Sequence, residues 1–268
     1  MTERRTRRGE RGTRLIVLNR WLSVAVASAA ALVVACGQAF RTADYPTPVS
    51  LYEAAMEQFR LEKWGNAVIG FEQVTLQLPA RDTLLPRAHY YLALSHVRQE
   101  DYQLAAASYL RLFESYPGDT LADDALMGAA ASYERSWRGP EYDPEFAQKA
   151  LDAYGLVHRV FPASPLVREA QEGEARMNNG LAQKDLRTGM HFFRRRAYHS
   201  ALIYFRAAAA DYPGTPTARE ARMMIVRAYQ VLGYREDIDE HCRALRTEFP
   251  DAADIRVLCG GVAADTAR

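Results

Sequence analysis

The chain has little of what catalytic and metal-binding proteins are built from. Its six histidines are scattered over 268 residues, and its three cysteines stand far apart, at 36, 242 and 259. His191 and His199 are the one histidine pair that a turn would bring together, and no carboxylate or cysteine completes a metal-ligand spacing around them. Glycine-rich phosphate loops, nucleophile elbows and zinc motifs are missing. The adjacent acids Asp123-Asp124 and Glu236-Asp237 would point to different helix faces, so neither makes an acid/base pair, and solvated helix starts account for both. These absences lead to the expectation of a non-enzyme with no cofactor and no metal. Alternating strand patterns are missing too, which excludes a β or mixed class. The one strongly apolar uncharged stretch, Trp21 to Val34, is too short to span a bilayer comfortably.

What is present is a repeated helical hairpin. In Pro86 to Pro117, Leu92, Ala93 and His96 stack on a first helix, Gln99-Glu100-Asp101 makes a turn, and Ala105, Tyr109 and Leu112 mark one face of a second helix. The second helix follows a rule: a small residue, an aromatic four later, an apolar residue three after that, and a proline five later. Ala67-Phe71-Val74-Pro79, Ala105-Tyr109-Leu112-Pro117, Ala150-Tyr154-Val157-Pro162 and Ala201-Phe205-Ala208-Pro213 obey it, and Ile238-Cys242-Leu245-Pro250 keeps the spacing. The small residue admits a neighbouring helix, the aromatic fills the space between hairpins, and proline ends the helix. The spacing resembles the tetratricopeptide repeat, which implies an all-α solenoid of about five hairpins.

The terminal prolines lie 38, 45, 51 and 37 residues apart, against about 34 for the standard repeat. The array is therefore expected to be irregular. In the third repeat a loop, Arg138 to Asp143, separates two helices; in the fourth, Pro165 to Gly180 reads as an extra helix ahead of Ala182 to Arg195. Thr47-Pro48, Asp143-Pro144, Ser164-Pro165 and Thr215-Pro216 each place a capping side chain before a proline expected at the first helical position.

The N-terminus reads differently. Seven arginines and two glutamates crowd residues 1–20, the short apolar run follows, and the run meets Val33-Val34-Ala35-Cys36-Gly37. This resembles a bacterial lipobox, which implies a signal peptide over 1–35, acylation of Cys36 and a lipidated tether over 36–48. The arginine pairs carry generic positive charge, because the residues after them do not fit a twin-arginine signal. Glycine rather than aspartate at 37 implies passage to the outer membrane. Seven of the 34 basic and two of the 33 acidic residues precede Cys36, leaving 27 against 31. A mildly acidic exported chain has no basic stripe for nucleic acid.

The lipobox, the proline-bearing tether and the five repeats together are similar to the BamD family, lipoproteins of the machinery that inserts β-barrels into the outer membrane. The likeness runs from Cys36 to Pro250 and is carried by Leu51-Tyr52-Glu53-Ala54, the Tyr-Pro and Phe-Pro ends, and Gly180-Leu181-Ala182-Gln183. The irregular spacing itself divides the array into an N-terminal repeat pair over 49–120 and a C-terminal half over 121–250, followed by a cap or tail over 251–268. First helices of such repeats line the inner side. There Tyr52, Met56, Phe59, Arg60, Tyr90, Leu94 and Arg98 would form an aromatic groove with cationic edges, fit for the C-terminal segment of an unfolded barrel protein. The same residues would also serve simply as packing between repeats. Arg194, Arg195 and Arg196 would contact the last POTRA domain of a BamA-like barrel protein, Arg196 standing where the family has an arginine used there; a solvated helix C-terminus explains them equally. The short Arg138 to Asp143 loop departs from well-known members, which bears on accessory subunits. The alternative function is an outer-membrane scaffold lipoprotein for pilus assembly or envelope constriction, and the short tether, with no coiled coil, argues against the latter.

Cys242 and Cys259 remain. They would pair in the oxidising periplasm, pinning a helical turn at Asp254 to Leu258 over the last repeat, or Cys242 would be a small buried hydrophobe with Cys259 free in a frayed tail.

Overall fold

In the computed structural model, residues 40–260 are described, and the lipobox with Cys36 lies outside them. The chain divides into two units, 1–44 and 45–268. The described part of the first is a single 3-10 turn, Thr42–Asp44. The second holds eleven α-helices and no strand among its described residues.

The helices pair as five hairpins: α1 (Pro48–Arg60) with α2 (Trp64–Gln77), α3 (Leu85–Arg98) with α4 (Tyr102–Ser115), α5 (Ala122–Ser136) with α6 (Glu145–Val160), α7 (Val167–Arg194) with α8 (Tyr198–Ala210), and α9 (Pro216–Leu232) with α10 (Arg235–Glu248). A short α11 (Ala253–Gly260) closes the series. Each helix packs on its sequence neighbours. All fifteen small, aromatic and apolar positions of the repeat rule are buried, from Ala67, Phe71 and Val74 to Ile238, Cys242 and Leu245. The prolines fall two or three residues beyond each second helix, where a missing amide hydrogen costs nothing.

Close approach is obtained by bare backbone. A Cβ on Gly128 would stand 2.7 Å from the Tyr109 ring, one on Gly173 2.5 Å from that of Tyr154, and one on Gly189 2.5 Å from that of Phe205. The repeat aromatics of α4, α6 and α8 thus sit on glycines of an adjacent first helix. Tyr154 is fixed further, for its hydroxyl donates to Glu134, which also accepts a two-pronged bond from Arg176 at 2.9 and 3.0 Å. Burial pushes the Glu134 carboxyl up, and these hydrogen bonds and the arginine charge outweigh it, holding it below its ordinary value.

Two expectations are corrected. The fourth repeat has no separate extra helix: residues 167–194 form one helix of 28 residues that runs through Gly180 without a break. Gly180 is not a terminator. Its missing side chain admits the Trp137 ring, which would meet a Cβ at 2.5 Å. The first half of α7 joins the α5/α6 core through Ala170, Met177 and Leu181, and the second joins the α8/α9 core through Leu186. The four proline starts also split. Thr47 and Thr215 are true N-caps whose side chains accept from Ser50 and Ala218. Pro144 is itself the N-cap of α6 and Pro165 precedes α7 by two residues, with Asp143 and Ser164 accepting from Glu145 and Leu166 in the turn before.

At the C-terminal end the structure joins Cys242 and Cys259 in a disulfide across 17 residues of chain. Closing a loop of that size contributes on the order of 3 kcal/mol in the chain-entropy account. The bridge, the Arg219–Asp254 ion pair at 2.7 Å and the Arg246 bond to the Cys259 carbonyl hold α11 on the last hairpin, with Ile255 fully buried.

Gly173→Ala tests the ring-on-glycine packing. Helix propensity alone would favour alanine by about 1 kcal/mol. The clash with a ring tethered to Glu134 instead predicts a loss of about 1 to 3 kcal/mol in urea unfolding. A stabilised variant would show that the ring yields freely.

Candidate binding surfaces

The seven proposed groove residues fall on two first helices. Tyr52, Met56 and Phe59 of α1 are half-buried and pack on the cluster of Ala55, Ala67, Phe71 and Leu92. Tyr90 and Leu94 of α3 pack on a different cluster, around Ala93, Tyr109 and Leu112. Arg60 and Arg98 are exposed.

A ring outside the repeat pattern links the two groups. Tyr91 stacks with Phe71 at 5.9 Å and lies edge-on to Phe59 at 5.3 Å and to Tyr90 at 5.8 Å. Trp64, also unanticipated, meets Phe59 at 5.1 Å, and the Arg98 guanidinium lies 5.8 Å from its ring centre. The rings therefore run in contact from Tyr52 through Phe71 and Tyr91 to Tyr90 and Tyr109, with a branch through Phe59 and Trp64 to Arg98. Two consecutive tyrosines on a helix point about 100° apart, and one face was read where two are used. The doublet Tyr90-Tyr91 was the available signal.

Electrostatically the band is apolar, with the Arg87 and Arg60 charges acting on Tyr52 and that of Asp124 on Tyr90. Burial raises the phenols of Tyr52 and Tyr90, with Tyr91 and, for Tyr90, Asp124 adding to it, so both keep their protons. Arg60 touches Glu57 at 3.6 Å, both exposed, a contact of little energy. Arg98 spends its charge on an aromatic face and lies in no ion pair among the described residues.

The three arginines of the fourth repeat sit at its internal turn. Arg194 ends α7, Arg195 caps it, and Arg196 takes a left-handed conformation, φ 62°. All three are exposed. Arg194 also lines a cleft of about 390 Å³ between α7 and α9, with Leu186 and Met190 on its wall and Arg187 and Glu220 at its mouth. Arg187 is ion-paired with Glu141 in the third-repeat loop, where Arg138 also lies over the Tyr142 ring at 4.4 Å.

No group of three or more His, Cys, Asp or Glu side chains among the described residues is arranged to hold a metal. His191 touches the Phe192 ring and His199 that of Tyr234. Asp123 and Asp124 lie in the first turn of α5, and Glu236 and Asp237 in that of α10. No described helix is long and apolar enough to cross a membrane.

A family model described as YfiO, an outer membrane lipoprotein, matches residues 45–245, which takes in nearly the whole helical array. The outer membrane protein assembly factor BamD of Vibrio cholerae is 24% identical over 206 residues, covering 73% of this chain and 85% of that one. The BamD of Caulobacter vibrioides is 25% identical over 200 residues, 75% of this chain and 65% of its own. Among solved structures, a TPR repeats protein from Bacteroides fragilis superposes with a TM-score of 0.50 at 13% identity, over 81% of this chain and 98% of that one. The fold is that of the tetratricopeptide-repeat proteins.

His89, beside Tyr90 on α3, supplies a pH test. It is buried, its Nδ1 has no hydrogen-bond partner, and burial with the nearby Arg111 charge holds it down to about 4. Burial lowers His96 as well, against the opposing pull of Glu72 and Asp101. Both stay neutral in the folded state while the unfolded chain takes up protons near 6.5, so stability is full above pH 6.5 and falls towards pH 4. Replacing His89 with glutamine should flatten that fall by up to about 3 kcal/mol in unfolding at pH 7 and pH 4. Equal pH dependence in both proteins would reject the assignment.

Proposed function

The chain belongs to the YfiO family of outer membrane lipoproteins, and from that membership we propose that it is an outer-membrane-protein assembly factor acting by binding rather than catalysis. The observation that carries this reading is the family match across 45–245, with relatives named as assembly factors in two organisms. In this reading the N-terminal repeats, 49–120, receive the C-terminal segment of an unfolded barrel protein. The ring band supports it: an extended peptide gains stacking surface from Tyr52, Phe59 and Tyr90, lies along Met56 and Leu94, and pairs its carboxylate with Arg60 or Arg98. The C-terminal half, 121–250, binds a POTRA domain of a BamA-like barrel protein through Arg194, Arg195 and Arg196, whose exposed charges at one turn suit an acidic surface. Cys36 carries the lipid that holds the protein at the periplasmic face of the outer membrane, with residues 36–48 as its tether and no role for nucleic acid.

Affinity purification of the full-length protein from its native membrane should bring down an outer-membrane β-barrel bearing POTRA domains. Recovery of pilus or division proteins in its place would favour the scaffold reading. Replacing Arg60, Tyr90 and Arg98 with alanine should weaken binding of barrel C-terminal peptides at least tenfold, about 1.4 kcal/mol, with helicity retained. Loss of helicity together with binding would mark the three as packing residues.

The anchor has its own test. Cys36→Ala should leave an unacylated, unprocessed chain that no longer fractionates with the outer membrane, and wild-type sorting of that variant would refute the lipobox.

A further inference from the structure

The spaces between successive second helices are filled differently along the array. Eight residues after the small residue of the rule, repeat two has Phe113, repeat three His158 and repeat four Ala209. Phe113 packs edge-on against Phe161 at the end of the next second helix, with centroids 6.0 Å apart. His158 meets Glu174 at 3.2 Å. Ala209 packs on the core beneath it but is too small to fill the space, and beside it lies a cleft of about 480 Å³ between α8 and α10. The ring that corresponds to Phe161, eleven residues after the small position, is retained in repeat five as Phe249. It lines a smaller adjoining cleft of about 240 Å³, and Arg222 and Glu248, which are ion-paired, border both. Between repeats four and five the ring that Phe113 supplies between repeats two and three is thus replaced by alanine, and a cleft stands beside it.

The cleft is chemically marked. Its floor is Ile225 and Leu245, each 2% exposed, and its walls include Ala209, Ala210 and Ala244. Arg206 lines the cleft, donating to the Tyr229 hydroxyl and lying in no ion pair among the described residues. An alanine-walled slot admits a planar ring, and the Arg206 guanidinium, which lies over the Tyr229 ring at 5.8 Å and has no carboxylate partner among the described residues, can pair with one from outside.

We propose that this cleft receives an aromatic side chain donated by a partner protein, from a segment that also presents an acidic side chain to Arg206. The site is separate from the α1/α3 ring band and does not depend on the function proposed for it. The partner's ring takes the place that Phe113 occupies between repeats two and three, and Arg206 fixes the direction of the entering segment.

The probe is the blocked peptide acetyl-Ala-Glu-Phe-Glu-Ala-amide, which has no C-terminal carboxylate, titrated into the full mature chain and followed by saturation-transfer NMR. Saturable binding in the millimolar range or tighter is expected, and at least tenfold weaker binding when the peptide's phenylalanine is replaced with alanine. Ala209→Phe plugs the cleft from within and should abolish binding; Arg206→Gln, which can still donate to the buried Tyr229 hydroxyl but carries no charge, should weaken it at least fivefold with thermal unfolding unchanged. Alanine at Arg60 and Arg98 should leave it unchanged. No saturable binding, equal binding of the two peptides, or undiminished binding to both cleft variants would overturn the proposal.

Discussion

The array depends on rings pressed against bare backbone. An aromatic side chain buries a large area, but only where its neighbour lets it approach to van der Waals distance, and in α5 and α7 glycines allow this. The contact sets how far one hairpin stands from the next. Because each hairpin packs chiefly on its neighbours, a misfit at Gly128 or Gly173 would loosen the junction there without touching the ends. Tyr154 shows how a polar atom is accommodated in such a place: its ring is buried, and its hydroxyl reaches a carboxylate already held by Arg176.

Helix class, hairpin number and the buried face of every second helix were legible in the sequence, since the rule from Ala67 to Leu245 reports a spatial period that only packing imposes. Features that depend on a distant partner were not. Gly180 reads as a break because glycine is a poor helix former, yet its role is set by Trp137, 43 positions earlier, whose ring needs the space. Pro144 and Pro165 were assigned to the first helical turn by local preference, and the chain begins those helices later. Tyr91 was missed for a similar reason. A first-helix face is defined by what lies on both sides of it, and the sequence gives no direct sign of Phe59 and Phe71 converging there. The seven residues were therefore legible singly, and their division into two clusters bridged by a third ring was not.

Internal turns of the hairpins impose a constraint that bears on the surface arginines. Glu62, Glu100 and Arg196 are the positive-φ residues of the first, second and fourth turns, each two residues after the end of its helix, and glycine takes that conformation at Gly233 in the fifth. A side-chain-bearing residue in the left-handed region costs on the order of 1 kcal/mol relative to glycine. Glycine at any of the three would relieve that cost, so the conformation itself is a property of the hairpin turn and does not set Arg196 apart from Glu62 and Glu100.

The end of the array brings these constraints together. A terminal repeat has no following hairpin to cover it, and here α11 supplies the missing layer through Ile255 and Cys259 while leaving Val257 82% exposed. Arg219 serves both parts of the cap, pairing with Asp254 and lying 5.2 Å from the Phe249 ring. Phe249 packs on the core and lines the smaller cleft, while the larger one beside Ala209 is bordered by the same Arg222–Glu248 pair. A closing helix joined by a disulfide and an ion pair can afford an unfilled cleft beside it, because the stability lost by omitting one ring is of the same order as that contributed by the crosslink, about 3 kcal/mol. In the middle of the array, where no crosslink is present among the described residues, the corresponding space is filled by Phe113.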